Sequence, residues 1–212
     1  MINIYNYKLK WAFGVCAAVT LAFYLWSGDS STLFDIVKSS IFITMFLTYL
    51  FNIYLWKYVP EPLIGVPDLN GTWKGKADYQ WVKLSLGENG KGSVDPVYLV
   101  VKQNFLSTKI LAFTKESTSY SLSTNISISE TGAWVLSYMY DNSPGLGLIQ
   151  RSPRHRGAAQ LKANKVSGQY HLEGDYWTDR WSQGNLTFLE RKKKFATDYN
   201  SASQIFEKPP CT

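Results

Sequence analysis

The sequence predicts a membrane-anchored all-β protein, in which two N-terminal transmembrane helices precede an eight-stranded antiparallel up-and-down β-barrel. Three observations predict it: two long uncharged apolar runs, a proline-rich stretch after them, and eight segments of period two separated by turn-forming residues. The 212-residue chain is long enough for one domain beside a membrane segment. The predicted parts are a transmembrane hairpin (1–58), a linker (59–68), the barrel (69–194) and a C-terminal tail (195–212), of which "SASQIFEKPPCT" is expected to be poorly ordered.

The two apolar runs cover residues 11–26 and 39–56, and neither contains a charged residue. With their flanks, each approaches the roughly 20 residues that a spanning helix needs. A signal peptide is the alternative for the first run, but it lacks a small-x-small cleavage site and a second run follows. Lys8, Lys10 and Lys57 flank the pair on the outside, while the connecting loop carries Asp29 and Asp35. The positive-inside rule therefore predicts that both termini and the barrel are cytoplasmic.

Small and polar residues recur every fourth position in both runs, which places each set on one helix face. Such faces allow close packing and hydrogen bonding between membrane helices. Two interpretations remain open: the two helices pack on each other, or the faces associate between protomers. Asn52 is the best candidate for a contact between protomers, because an amide in lipid needs a partner. The predicted association residues are Gly14, Ala18, Ala22, Ser40, Thr44, Thr48 and Asn52.

The segment "VPEPLIGVPD" contains three prolines and predicts a short, stiff linker. Beyond it, the predicted strands cover residues 70–79, 97–104, 108–114, 119–129, 133–141, 155–163, 168–178 and 184–191. Stretches such as "GENGKGSVDP" and "NSPGLG" have the composition of turns. Eight short-looped strands favour a closed barrel, with a two-sheet sandwich as the alternative. Trp73, between Gly71 and Gly75, is expected to plug one barrel end.

No residue pattern predicts catalysis. The two histidines, His155 and His171, fall on different strands, and no nucleophile or phosphate-loop motif is present. Glu173 and Asp175 are spaced as on a solvated strand face. Cys16 and Cys211 belong to no metal-spaced cluster, and the predicted barrel contains no cysteine, which fits a reducing compartment. We therefore expect neither an enzyme, nor a cofactor, nor a metal site.

Binding of a phosphate-containing ligand is better supported. The formal net charge is +6, and the loop "QRSPRHRG" concentrates arginines, whose planar guanidinium suits phosphate oxygens. Tyrosine and tryptophan side chains on the strands offer stacking faces for bases. Contact with lipid headgroups and simple solvation remain alternatives for the basic loop. The candidate ligand-binding residues are Tyr79, Lys102, Tyr140, Arg151, Arg154, Arg156, Tyr176, Thr178 and Arg180. Those expected to converge at one barrel mouth, together with Trp177, are Tyr79, Lys102, Tyr140, Tyr176, Thr178 and Arg180.

The combined layout, with "PDLNGTWKG", "PVYLVVKQNFLSTKILAFTKESTSYSLS" and "GDYWTDRWSQGNLTF", resembles the membrane-anchored β-barrel effectors of bacterial anti-phage CBASS systems. The resemblance covers about residues 10–190. It implies that the barrel binds a cyclic dinucleotide made by a partner nucleotidyltransferase, with no role for DNA or RNA polymers. It also implies ligand-promoted oligomerisation, disruption of the bacterial inner membrane and death of the infected cell.

Two alternatives from other functional classes remain at this point. One is a membrane-tethered, lipocalin-like carrier of an apolar ligand, for which the Gly-x-Trp start of the barrel is suggestive. The other is a structural membrane module without a ligand. The character of the barrel interior discriminates among them, because a nucleotide needs cations and aromatic faces together whereas an apolar ligand needs neither.

Overall fold

The computed structural model describes residues 14, 17–19, 21, 22, 25, 33–59, 65–83, 88–145, 147 and 153–207. The chain divides into two compact units. One contains Leu69–Gln103 and the chain from Thr108 onward, and the other contains the N-terminal segment up to Asp68 together with the turn Asn104–Ser107.

The first unit is a closed barrel in which each strand pairs with its neighbour in sequence and β8 closes on β1, all antiparallel. The strands are β1 Gly71–Lys83, β2 Glu88–Gln103, β3 Thr108–Phe113, β4 Ser117–Ile128, β5 Trp134–Pro144, β6 His155–Val166, β7 Gln169–Thr178 and β8 Ser182–Lys192. The predicted eight-stranded up-and-down barrel is confirmed, and the sandwich is excluded.

The first hairpin differs most from the prediction. The stretch "GENGKGSVDP" was expected to be a loop, but β2 runs through it and pairs with β1 down to Lys83↔Glu88. Gly90 and Gly92 lie opposite Trp81 and Tyr79, so these glycines face large rings rather than form a turn. Glycine composition alone does not distinguish these two roles.

One end of the barrel is closed by an apolar core. Trp73 is fully buried there, and its indole N–H donates to the Leu69 carbonyl oxygen at 3.0 Å. Gly71, with a φ of +134°, brings the backbone so close to Lys192 that a Cβ would lie 2.4 Å from that residue's carbonyl oxygen. The plug predicted for Trp73 is confirmed. The other fully buried side chains of this core include Leu99, Leu136, Leu161, Leu172 and Phe188.

The sequence predicts a poorly ordered C-terminal tail, but part of this segment is helical. Residues Tyr199–Glu207 form a helix, and the Asp198 carboxylate caps it by accepting a 2.8 Å hydrogen bond from the Ser201 N–H. Its apolar face covers an outward patch on β2 and β3, where Tyr98 packs edge-on against Tyr199 and stacks with Phe206. An outward apolar patch on a barrel favours such a cover.

The second unit contains the helix Leu33–Ile53 and a short 3₁₀ helix, Leu55–Tyr58, whose Trp56 is fully buried. The helix overlaps the second predicted membrane run but begins six residues earlier. Among the residues that the structure describes, no helix combines the length and apolarity needed to cross a membrane. Most of the first predicted run, residues 11–26, lies outside the described residues.

The predicted association residues have different surroundings. Gly14, Ala18 and Ala22 are helical and exposed, whereas Thr44 is buried and Thr48 is half-buried. The side chain of Ser40 lies outside the described residues. Asn52 contacts the turn of its own unit: its side-chain oxygen accepts a hydrogen bond from the Leu106 N–H at 2.8 Å.

Candidate functional site

The barrel contains a cavity of about 750 Å³ above the apolar core. This volume lies within the range of roughly 300–1,000 Å³ typical of small-molecule sites. The cavity reaches the end of the barrel where β7 turns into β8, where β5 ends and where β6 begins. An eight-stranded barrel has an interior just wide enough for one small ligand, provided that some inward positions carry small side chains.

The walls of the cavity are rich in aromatic side chains: Tyr79, Trp81, Tyr138, Tyr140 and Tyr176. They come from β1, β5 and β7 and point inward because side chains alternate along each strand. Burial raises the pKa of Tyr138, of Tyr140 and of Tyr176 above the usual tyrosine range. The three hydroxyls therefore keep their protons at neutral pH and can donate hydrogen bonds to a ligand.

A cationic group lies at the rim of the cavity. The Arg180 Nη1 donates to the Pro153 carbonyl oxygen at 3.1 Å, and Nη2 lies 3.5 Å from the His155 Nε2. Partial burial lowers the pKa of Arg180, because charge is less well solvated here. A bound anion would offset this desolvation.

The environment of His155 favours its neutral form. Burial is the main cause that lowers the pKa of His155, and the positive charge of Arg180 lowers it further. Its Nδ1 lies 3.2 Å from the Pro153 carbonyl oxygen, so a proton on Nδ1 leaves Nε2 as acceptor for Arg180. Asn142, the cross-strand partner of His155, extends the polar rim and accepts a hydrogen bond from the Ser119 hydroxyl at 2.8 Å. The cavity thus combines aromatic walls with a polar, cationic rim.

A comparison with known families matches residues 64–191 to the family model described as "Cap15, cyclic dinucleotide receptor domain". The chain belongs to the Cap15 receptor-domain family. A curated relative, "CD-NTase-associated protein 15" from Staphylococcus schleiferi, is 28% identical over 159 residues, which is 74% of this chain and 80% of the relative. These findings support the resemblance to CBASS barrel effectors seen in the sequence.

In this Cap15-family barrel, five of the predicted ligand-binding residues line the cavity: Tyr79, Tyr140, Tyr176, Thr178 and Arg180. The stretch "YWTDR" therefore brings three of them to the rim, because Tyr176 and Thr178 face inward while the β7–β8 turn carries Arg180. The expectation that Trp177 joins them at the mouth is wrong: its side chain lies between theirs in sequence, faces outward because side chains alternate along the strand, and is half exposed.

The other predicted cations do not line the cavity. Lys102 is exposed near the opposite, closed end, where its β3 partner is Lys109. Arg154 is held by Asp141 through Nε at 2.9 Å and through Nη2. Arg156 is exposed, and its backbone N–H donates to the Asp179 carboxylate at 3.1 Å. Arg151 lies outside the described residues.

Some residues of the cavity wall were not among the candidate ligand-binding residues: Trp81, Ser119, Tyr138, Asn142 and His155. Trp81 continues the alternation of Trp73, Ala77 and Tyr79, so that pattern contained the signal. Asn142 and His155 are brought together by the pairing of β5 with β6, which a sequence alone does not specify.

Proposed function

We propose that the protein is a cyclic dinucleotide-sensing effector of bacterial anti-phage defence. The observation that carries this proposal is the cavity, which combines aromatic walls with Arg180 at its rim in a chain of the Cap15 receptor-domain family. A cyclic dinucleotide carries two bases and two phosphates, so it requires stacking faces and a cation at one site. The ligand is made by a partner nucleotidyltransferase during infection.

In the proposed mechanism, the ligand enters at the rim and its bases lie against the tyrosine and tryptophan rings. A phosphate accepts hydrogen bonds from Arg180 and from tyrosine hydroxyls. Because the ligand binds the associating form better, it promotes oligomerisation of the N-terminal helices. Association in a membrane plane raises the effective concentration of the protomers, so a modest ligand effect is amplified.

The membrane part of the proposal is supported by the sequence, with its two uncharged runs and flanking lysines. In it, the helices span the bacterial inner membrane with the barrel in the cytoplasm, and their clusters disrupt that membrane and kill the infected cell. Gly14, Ala18 and Ala22 form the proposed contact between protomers, since they recur at helical spacing and are exposed.

Calorimetric titration of the full chain in detergent against cyclic di-AMP, cyclic di-GMP, cyclic GMP–AMP and cyclic UMP–AMP tests the receptor step. At least one is expected to bind, and Arg180→Ala is expected to weaken it about tenfold or more, the usual loss for a charge-assisted contact. Arg156→Ala is the matched control, because that arginine is exposed and does not line the cavity. If no cyclic dinucleotide binds, the receptor step is refuted. Binding of a fluorescent fatty acid that no cyclic dinucleotide displaces would favour an apolar-ligand carrier instead.

Release of a fluorescent dye from vesicles containing the full chain tests the membrane step. Ligand is expected to cause release in the wild type, and Ala18→Leu is expected to reduce it while ligand affinity is retained, because the larger side chain keeps the helices apart. Val166→Leu is the control, since it enlarges an exposed side chain of the barrel that does not line the cavity and should leave release unchanged. Ligand binding without any dye release would leave the receptor step intact and refute the membrane step.

A further inference from the structure

Large and small side chains alternate from strand to strand around the cavity wall. Following the cross-strand pairs from β2 through β1, β8, β7 and β6 to β5, one row reads Gly92, Tyr79, Gly184, Tyr176, Ala159 and Tyr138. Each ring in this row therefore has a glycine or alanine beside it. In a barrel of eight strands, rings at every position would fill the interior, so the small residues create the space for a ligand.

Both glycines of β2 lie directly under rings from the neighbouring strand. A Cβ atom on Gly92 would lie 2.4 Å from the Tyr79 hydroxyl oxygen and 2.5 Å from its Cζ. A Cβ atom on Gly90 would lie 2.7 Å from the Cε2 and Cζ2 atoms of Trp81. These distances are far below van der Waals contact, so each ring occupies the place of the missing side chain.

The consequence is that Tyr79 and Trp81 lie across β2 instead of extending into the lumen. This arrangement leaves the cavity open and turns the rings into part of its wall. Aromatic rings with a fixed position are good stacking surfaces, because little conformational freedom is lost when a base lies against them.

We propose that Gly90 and Gly92 are positioning residues for ligand recognition: they hold Tyr79 and Trp81 against the wall as the stacking surface for a base of the bound cyclic dinucleotide. This inference rests on the proposed function and adds the device that orients the stacking rings. Stacking of one base on an aromatic side chain contributes about tenfold or more in affinity.

Gly92→Ala is a discriminating change. The three atoms nearest to a Cβ at this position all belong to the outer part of the Tyr79 side chain, so the ring can move while the backbone stays in place. Gly157, which lies under Tyr140 in the same way, is less suitable, because its Cβ would also lie 2.7 Å from the Trp177 carbonyl oxygen. In the Gly92→Ala variant, the Tyr79 ring is displaced toward the lumen.

The test is a double-mutant cycle on the full chain in detergent, titrated with the cyclic dinucleotide that binds the wild type most tightly. Gly92→Ala and Tyr79→Leu are each expected to weaken binding about tenfold, and the double variant is expected to be no weaker than the worse single variant. Gly147→Ala is the matched control, since among the described residues, its chain neighbours apart, no atom lies within 4 Å of a Cβ there. Binding within about twofold of wild type in Gly92→Ala, or fully multiplicative losses in the double variant, would overturn the inference.

A second cycle with Gly90→Ala and Trp81→Leu applies the same criteria, and it decides the question if Gly92→Ala does not fold. Thermal unfolding monitored by circular dichroism identifies that case. Wild-type protein that binds no cyclic dinucleotide refutes the proposed function and this inference together. Normal wild-type binding with insensitive glycine variants refutes only the inference.

Discussion

The side-chain oxygen of Asn52 accepts a 2.8 Å hydrogen bond from the Leu106 N–H, and its backbone carbonyl accepts a 3.0 Å hydrogen bond from the Phe105 N–H. Phe51 adds an edge-to-face contact with Phe105, with ring centroids 5.0 Å apart. The amide that the sequence suggested for a contact between protomers thus has a partner within its own chain. It joins the end of the helix to the turn Asn104–Ser107.

Loss of this hydrogen bond should loosen the turn. Asn52→Leu is expected to speed amide hydrogen exchange at Leu106 several-fold and to lower the free energy of unfolding by about 1 kcal/mol. Asn52→Asp retains an acceptor oxygen and is the control for which protection should persist. Equal exchange rates in Asn52→Leu and wild type would show that the hydrogen bond does not hold the turn.

Arg154 is predicted to act on stability rather than on ligand affinity, because its guanidinium is held by Asp141 and by the Tyr120 hydroxyl. The hydrogen bond from Arg154 is the main reason that the pKa of Asp141 is below its usual value. A carboxylate whose pKa is lowered by folding stabilises the protein above the unfolded pKa, and this contribution disappears as the pH falls through the folded pKa.

Arg154→Ala should therefore be less stable than wild type at pH 7, and the difference should shrink below about pH 4. Denaturant unfolding at both pH values measures this, and ligand affinity at pH 7 should stay within about twofold. Arg156→Ala is the control, since Arg156 is the weakest of the causes that lower the pKa of Asp141. A pH-independent stability difference would contradict the role assigned to the pair.

Ligand binding is predicted to be coupled to protonation of His155. Burial and Arg180 lower the pKa of His155, while Asp179 and Asp141 oppose this more weakly. A phosphate bound at Arg180 offsets the positive charge and raises the pKa of His155 back toward its usual value of about 6.5, so binding should take up a proton and tighten as the pH falls through and below that value. Titration calorimetry in buffers of different ionisation enthalpy measures the uptake. His155→Gln should abolish it, and proton release on binding to wild type would contradict the prediction.

The C-terminal helix is predicted to contribute to barrel stability. Phe206→Ala removes the ring that stacks on Tyr98 and should lower the free energy of unfolding by roughly 1–3 kcal/mol, less than for a fully buried phenylalanine. Gln204→Ala, at an exposed position of the same helix, should have little effect. Denaturant unfolding of the two variants makes the comparison, and equal stabilities would show that the helix adds nothing to the barrel.

The architecture of the barrel could be read from local features of the chain. Alternation of period two and short turn-forming stretches identified eight strands and their antiparallel order, and the Gly71–Trp73–Gly75 pattern predicted the plug. The same alternation placed Tyr176, Thr178 and Arg180 near one rim. Each of these conclusions depends on residues close together in the chain, so each could be reached without knowledge of the tertiary structure.

The choice of cations that reach the cavity, and the role of the β2 glycines, depend instead on which strands pair and in what register. Arg154 and Arg180 are the same residue type, and the sequence does not distinguish their roles. Strand pairing places Asp141 beside Arg154 and the cavity beside Arg180. Gly90 and Gly92 belong to a stretch with the composition of a turn. The β1–β2 register nevertheless places them under Trp81 and Tyr79. Register is a long-range property, and a shift of one residue moves every side chain to the other face of the barrel.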